Sequence, residues 1–299
     1  MTAIFSLINK YIFQYVLRLM MYISNNNFAA SIFLFTLVIN IVLIPLSIKS
    51  QKATVQQTLI RPKLDKLKEK CGDDKQKYNT AMQELYQKEN IKMSGGCLPM
   101  ILRMVLLFSV YYLVISPLTY LTSLDATTIK QAIEGAGIAS NNIRAELDLV
   151  GKIFAGSYAN ADISGAIANI NFNFLGIDLT TTPHFTFNLK DAELNWIIPF
   201  LSFAGAMISS IISIIMSKKN NPDAPSMSGL MLTMPIVSLV FAFMAPCGLG
   251  FYWACSSIIG GLIQAGIQYF YGPYKMIAKQ RAKKLIKEYE NESKTLQSR

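Results

Sequence analysis

Five long apolar runs contain a single charged side chain between them, and that pattern fixes what the chain can become. The runs are 28–48, 97–119, 194–217, 228–246 and 247–271, and the one charge is Arg103 in the second. A bilayer core needs about 20 consecutive apolar residues of helix. In lipid every backbone polar group must be satisfied inside the segment, which a helix does. The expected fold is therefore an all-α integral membrane protein with five transmembrane helices. Composition agrees: 52% of the 299 residues are hydrophobic and only 15% are charged, against about a quarter charged in soluble domains. Pro246 and Gly248 separate the last two runs with almost no loop, which predicts a tight helical turn at the membrane surface.

Charge gives the orientation. Residues 49–96 carry eleven Lys/Arg and six Asp/Glu, whereas 118–193 carry four and eight. Lys218 and Lys219 lie in the short link before the fourth run, and the tail 272–299 carries eight Lys/Arg and three Glu. The positive-inside rule places 49–96, the link and the tail in the cytoplasm. Five spans then put the N-terminus outside and the C-terminus inside. The net charge of +10 is expected to meet anionic lipid, and no specific nucleic-acid sequence is expected as a partner.

Between the spans the expectations are local. In 1–24, Ile4, Ile8, Tyr11, Tyr15 and Leu19 recur at helical spacing, with Lys10, Gln14 and Arg18 off that stripe. An amphipathic helix in the outer interface fits this pattern. A signal peptide is the competing reading of 1–22, and it lacks the basic cluster and a well-formed small-residue cleavage pattern. Residues 49–96 read as a basic cytoplasmic helical hairpin. Gly72 can end the first helix and Asp73 or Asp74 can cap the second. Leu59, Lys63 or Leu64, and Leu67 then face Tyr78, Met82, Leu85 and Tyr86. The extracytoplasmic loop 120–193 is rich in Asn, Ala, Ser and Thr, and both a spacer and a small folded insert fit it.

Enzyme chemistry finds no footing. Cys71, Cys97, Cys247 and Cys255 form no CxxC pair, and the single histidine, His184, lies in a polar stretch read as surface loop. A zinc protease needs a histidine pair, a rhomboid-type protease a serine–histidine pair in the membrane, and an aspartyl protease membrane aspartates. The expectation is a non-enzyme without metal or cofactor. A small-solute channel or transporter is the alternative class. It commonly uses intramembrane carboxylates or inverted repeats, and neither is present in the five runs.

The order of elements carries a resemblance. An apolar span ends in IPLSIK (Ile44 to Lys49), followed by RPKLDKLKEK, DDKQKYNTAMQELY and the SGGCLPMIL turn. WIIPFL (Trp196 to Leu201) opens the third span, and MPIVSLVFAFMAPCGLGFYWACSS (Met234 to Ser257) closes the pattern. Over about 28–121 and 194–275 the chain resembles the YidC/Oxa family of membrane protein insertases. That resemblance implies a five-helix bundle around a polar groove open to cytoplasm and lipid, through which short polar substrate tails cross. The implied partners are nascent membrane proteins, with the ribosome, a targeting receptor and the Sec translocon as further ones. The implied location is the bacterial plasma membrane. A chaperone acting only on Sec-inserted clients is the variant reading.

The resemblance also names site residues. Family members carry an arginine five residues before the proline of the first span, and here that position is Asn40. Arg103 stands six residues after Cys97, where the family often has glutamine. Arginine at the centre of a span costs about 2.5–3.5 kcal/mol on insertion scales and so tends to face a polar interior. The expectation is that the groove charge has moved from the first span to the second. Thr36, one turn before Asn40, joins the candidates, as do Tyr252, Trp253 and Ser256, which match family positions in the last span. Ser257 replaces a common asparagine, and Val105 a frequent proline.

Overall fold

A computed structural model describes residues 7–72, 74–89, 98–139, 141–186, 193–220 and 228–272, with 278, 282, 285, 286 and 289. At helix positions 54, 55, 57–59, 61, 62, 98–103, 217, 219, 220, 228, 230 and 231 the description is of the backbone alone.

The described chain is mostly helical. A π-turn at Asn9–Phe13 leads into α1 (Gln14–Ile23), followed by α2 (Phe28–Val42), α3 (Ile44–Cys71) and α4 (Lys75–Lys88). Then come α5 (Leu98–Ile115), α6 (Pro117–Leu121), α7 (Ala126–Gly135), α8 (Ala145–Phe154) and α9 (Ala161–Ile167). A two-stranded antiparallel ribbon, β1 (Asn173–Phe174) with β2 (Ile177–Asp178), precedes α10 (Ile197–Asn220), α11 (Ser228–Met244) and α12 (Cys247–Tyr271).

Two stretches, Leu194–Met216 and Cys247–Tyr271, are long and apolar enough to cross a membrane. A third follows if Phe28–Val42 and Ile44–Ala53 count as one interrupted span, and Met104–Ile115 and Leu232–Met244 are shorter apolar helices. The first run, expected as one helix over 28–48, is broken at Leu43. The cause is Pro45, which has no N–H to donate and whose ring crowds the carbonyl of Ile41 four residues back. Only 22% of the most apolar window of Leu194–Met216 is buried, and Ile197, Phe200, Ile208, Ile211 and Ile215 are exposed. An apolar face of that length suits lipid rather than water.

The chain forms two compact units. The first joins 1–42, 103–214 and 225–262. Here the π-turn and α1 together present two apolar faces. Phe13, Leu17, Met20 and Met21 are buried, while Tyr11, Tyr15, Leu19 and Tyr22 are exposed. Asn9 is buried and its Nδ2 donates to the Ser109 carbonyl at 3.0 Å. Arg18, off the exposed stripe, donates through Nε to the Tyr120 carbonyl at 2.7 Å and through Nη2 to that of Thr122. It thereby satisfies carbonyls at the end of α6 that have no intrahelical partner.

Within the 120–193 segment, the described residues up to 186 form a folded insert with its own core. Leu149, Val150, Ile163, Ile177 and Leu179 are buried. Asp125 and Asn160 cap α7 and α9 through the backbone N–H groups of Thr127 and Ile163, as these side chains do at helix starts. The insert is tied to the apolar helices by backbone bonds. Phe28 N donates to Asn171 O at 2.9 Å, Cys247 N to Thr181 O at 2.8 Å and Gly248 N to Leu179 O at 2.8 Å. Two of the orphan donors that open α12 are thus closed by the insert. A Cβ on Gly248 would lie 3.2 Å from the Leu179 carbonyl oxygen and 3.2 Å from Val114 Cγ1.

The second unit joins 43–102, 215–224 and 263–299. Gly72, at φ 55°, ends α3, and the Asp74 carboxylate caps α4 by accepting from Lys77 N at 3.0 Å. Lys63 pairs with Glu89. Leu64 and Leu67 of α3 and Tyr78, Met82, Leu85 and Tyr86 of α4 are half-buried between exposed neighbours. Leu59 belongs to the same expected face, and its side chain lies outside the described set.

Candidate functional site

The last apolar helix has two faces with different chemistry. One packs closely on α10. A Cβ on Gly250 would come within 2.8 Å of Ile198, one on Gly205 within 3.3 Å of the Ala254 carbonyl, and one on Gly261 within 2.8 Å of Ser209 Oγ. Ser202 Oγ donates to the Gly250 carbonyl at 2.6 Å. Positions 198, 202, 205 and 209 recur at helical spacing, as do 250, 254 and 261. Small residues at such spacing let two helix backbones approach when no water drives them together.

The second face is half-buried and partly polar. At 3.6 residues per turn, Trp253, Gly260 and Gln264 fall on one stripe, with Ser256 and Ser257 beside it, and all five are half-buried. Asn40 of α2 meets this stripe at Gly260, where an added Cβ would lie 3.7 Å from Asn40 Oδ1. Asn40 Nδ2 donates to the Thr36 carbonyl at 2.8 Å, so the two residues share a face. Thr36 itself is buried, and its Oγ1 donates to the Ile32 carbonyl at 2.6 Å. Its hydroxyl is committed to its own helix, and the Asn40 Oδ1 is the freer acceptor of the pair.

The remaining candidates separate. Tyr252 is buried at 6% exposure. Trp253 lines an apolar cavity of about 770 Å3 with Leu107, Phe108, Phe241, Met244 and Leu249. Arg103 sits in the first turns of α5, and the expectation for its side chain falls outside the described residues. His184 is exposed, and its carbonyl accepts from Trp196 Nε1 at 2.9 Å. Among the described residues no group of three metal-ligating side chains comes together.

Sequence reasoning missed the packing face, although Gly250 and Gly261 were its signal. It also missed Gln264, whose Nε2 donates to Gln51 Oε1 at 3.4 Å. A residue-by-residue comparison with a family names aligned positions, not the contacts that a neighbouring helix brings to them.

These features define a helical protein built for a membrane, with one face of its last helix packed on small residues and the other left polar and partly open. The sequence profile of the 60Kd inner membrane protein family matches residues 19–273, and the chain belongs to that family. It is similar to a protein of Pseudoalteromonas atlantica named membrane protein insertase YidC, with 27% identity over 265 residues. That match covers 88% of this chain and 36% of the relative. Proteins of the same name from Anaeromyxobacter dehalogenans and Pseudomonas fluorescens are 41% identical over 85 residues and 43% over 89. Those matches cover 28% and 30% of this chain and 16% of each relative. The chain thus spans about a third or less of the length of these curated relatives.

Proposed function

We propose that this chain is a membrane protein insertase of the bacterial inner membrane. Five spans, with the N-terminus outside, surround a polar groove open to cytoplasm and lipid. The family match over 19–273 carries the reading, and the name shared by the relatives supports it. The half-buried stripe that meets Asn40 supplies the physical logic. An unpaired backbone polar group in hydrocarbon costs several kcal/mol. Acceptors along a stripe shorten the apolar distance that a client's polar tail must cross, and burial of the client's apolar segment in lipid drives the step. No covalent chemistry is involved.

In this reading Asn40 and Ser256 contact the client, Arg103 supplies the groove's positive charge, and Thr36, Tyr252 and Trp253 shape the wall. Helices α3 and α4 form a basic cytoplasmic hairpin. With the basic tail they offer a surface for anionic lipid, a ribosome or a targeting receptor, and the Sec translocon is a further partner.

The test is insertion of a single-span client into liposomes holding only this protein, scored by protease protection of the translocated tail. Wild-type protein is expected to protect the tail. Arg103→Ala and Asn40→Leu are expected to reduce protection several-fold, and Asn40→Arg to retain it. Full protection with both loss variants would discard the groove assignment. Absence of protection with wild type, restored by adding the translocon, would favour a chaperone of Sec-inserted clients. Selective solute flux without a client would favour a channel.

A further inference from the structure

Two cavities in the first unit share Asn142 and Arg144 in their linings. An open, partly polar cavity of about 830 Å3 lies on the insert, its lining including Lys152, Asp148, His184 and Glu193. The apolar cavity beside Trp253 has about 770 Å3. Both sizes fall in the roughly 300–1,000 Å3 range of small-molecule sites. The apolar one opens among Leu107 and Phe108 of α5, Phe241 and Met244 of α11 and Trp253 of α12. Phe108, Phe241 and Met244 are exposed. It therefore faces whatever surrounds the apolar helices.

The charges in the polar cavity are held by neutral partners. Arg144, half-buried, donates through Nη1 to Thr182 Oγ1 at 2.9 Å. Lys152 donates to the Ala136 carbonyl at 2.7 Å. Asp148 accepts from Asn142 Nδ2 at 2.7 Å, and Glu193 from Asn195 Nδ2 at 3.3 Å. Among the described residues none of the four is in an ion pair. Two cations and two carboxylates around one space do not select a simple anion. They fit a ligand that carries both signs, because each ionised group is then met by its opposite. Arg144, which lines both cavities, is placed for the charge nearest an apolar tail.

We propose that the joined cavities bind one zwitterionic phospholipid with a primary ammonium headgroup. An acyl chain fills the apolar cavity, the phosphate meets Arg144, and the ammonium reaches Asp148 and Glu193. The proposal rests on the membrane reading given above and does not require insertion activity, so the two can fail separately.

The test uses the full chain, purified in detergent and stripped of lipid. Phosphatidylethanolamine with brominated acyl chains is titrated in as the probe. Bromine quenches tryptophan on contact, and the chain has two tryptophans. The signal lost in Trp253→Phe isolates the one in the cavity. Saturable quenching of Trp253 is expected, shifted to about ten-fold higher lipid by Arg144→Gln and less by Arg144→Lys. Melting of each variant in detergent separates loss of binding from loss of fold, and Asp148→Asn with Glu193→Gln gives a second, independent loss of affinity. Quenching that rises linearly with lipid and is equal in wild type and Arg144→Gln means surrounding lipid only, and overturns the proposal. Equal or tighter binding of brominated phosphatidylglycerol overturns the headgroup assignment. Saturable quenching by a brominated single-span peptide but not by lipid would assign the cavity to a client segment instead.

Discussion

The insert and the part of the stripe around Asn40 and Gly260 lie in one compact unit and are built on opposite plans. In the insert and at the helix ends it holds, backbone donors and acceptors find fixed partners. Asp125 and Asn160 cap helices, Arg18 closes the end of α6, and Leu179 and Thr181 close the start of α12. Along the stripe the side chains are half-buried, and Asn40 keeps an acceptor that no described residue uses. A satisfied region resists change, and a partly satisfied one has something to offer a passing chain. In the function proposed above, the insert is a scaffold that fixes the helix ends, and the stripe is the working surface.

Substitutions sharpen that contrast, beginning with the scaffold. Gly248→Leu puts a branched side chain against the Leu179 carbonyl and Val114. Overpacking of this kind costs about 1–3 kcal/mol, and displacing the two backbone bonds adds to it. Protease resistance of the insert and detergent melting should both fall, the largest effect of the series. Arg18→Gln removes charge-assisted bonds to Tyr120 and Thr122, a loss of about 1.5–3 kcal/mol. It should lower melting while leaving client contact at the stripe in place. Ser202→Ala removes one bond to the Gly250 carbonyl. Such bonds average about 0.6 kcal/mol between membrane helices, so a small drop in melting is expected.

The smallest effect is a pH dependence. Glu146 accepts from Thr119 N at 2.9 Å and Thr119 Oγ1 at 2.5 Å. Burial nonetheless pushes its carboxyl above the usual carboxylate range, with the Thr119 bonds acting against the shift. The folded insert thus favours the protonated form. Its contribution is complete below the unfolded pKa and is lost as pH rises through the raised folded one. Glu146→Gln should flatten that decline in insert stability, measured by proteolysis across the carboxylate range upward. An unchanged profile would mean that another group governs it.

What the sequence made legible was what periodicity and single residues encode. The apolar runs located α2, α10, α11 and α12, the Gly72–Asp74 link located the break between α3 and α4, and the spacing of Thr36 and Asn40 put them on one face. Pro45 sat in plain view, but its effect at Leu43 depended on weighing the clash with Ile41 above the apolar run. The insert was not legible because its helices, such as Ala161–Ile167, are too short for periodicity to show. They are held by partners far away in sequence, as Phe28 holds Asn171. The division of α12 into a packed and an open face escaped for the same reason, since Ser202, Gly205 and Ser209 supply it from another helix.

The central claim is that clients touch the stripe and not the scaffold, and site-specific photocrosslinking during insertion tests it most directly. A photoreactive residue would replace Asn40 or Ser256 on the stripe, and Lys130 or Leu175 on the exposed surface of the insert. A radiolabelled single-span client would then be inserted into liposomes containing each variant. Crosslinks are expected from positions 40 and 256 that depend on an active insertion reaction, with none above background from 130 and 175. Crosslinks from the insert positions alone would contradict it and would make the folded insert, not the polar stripe, the surface that handles clients.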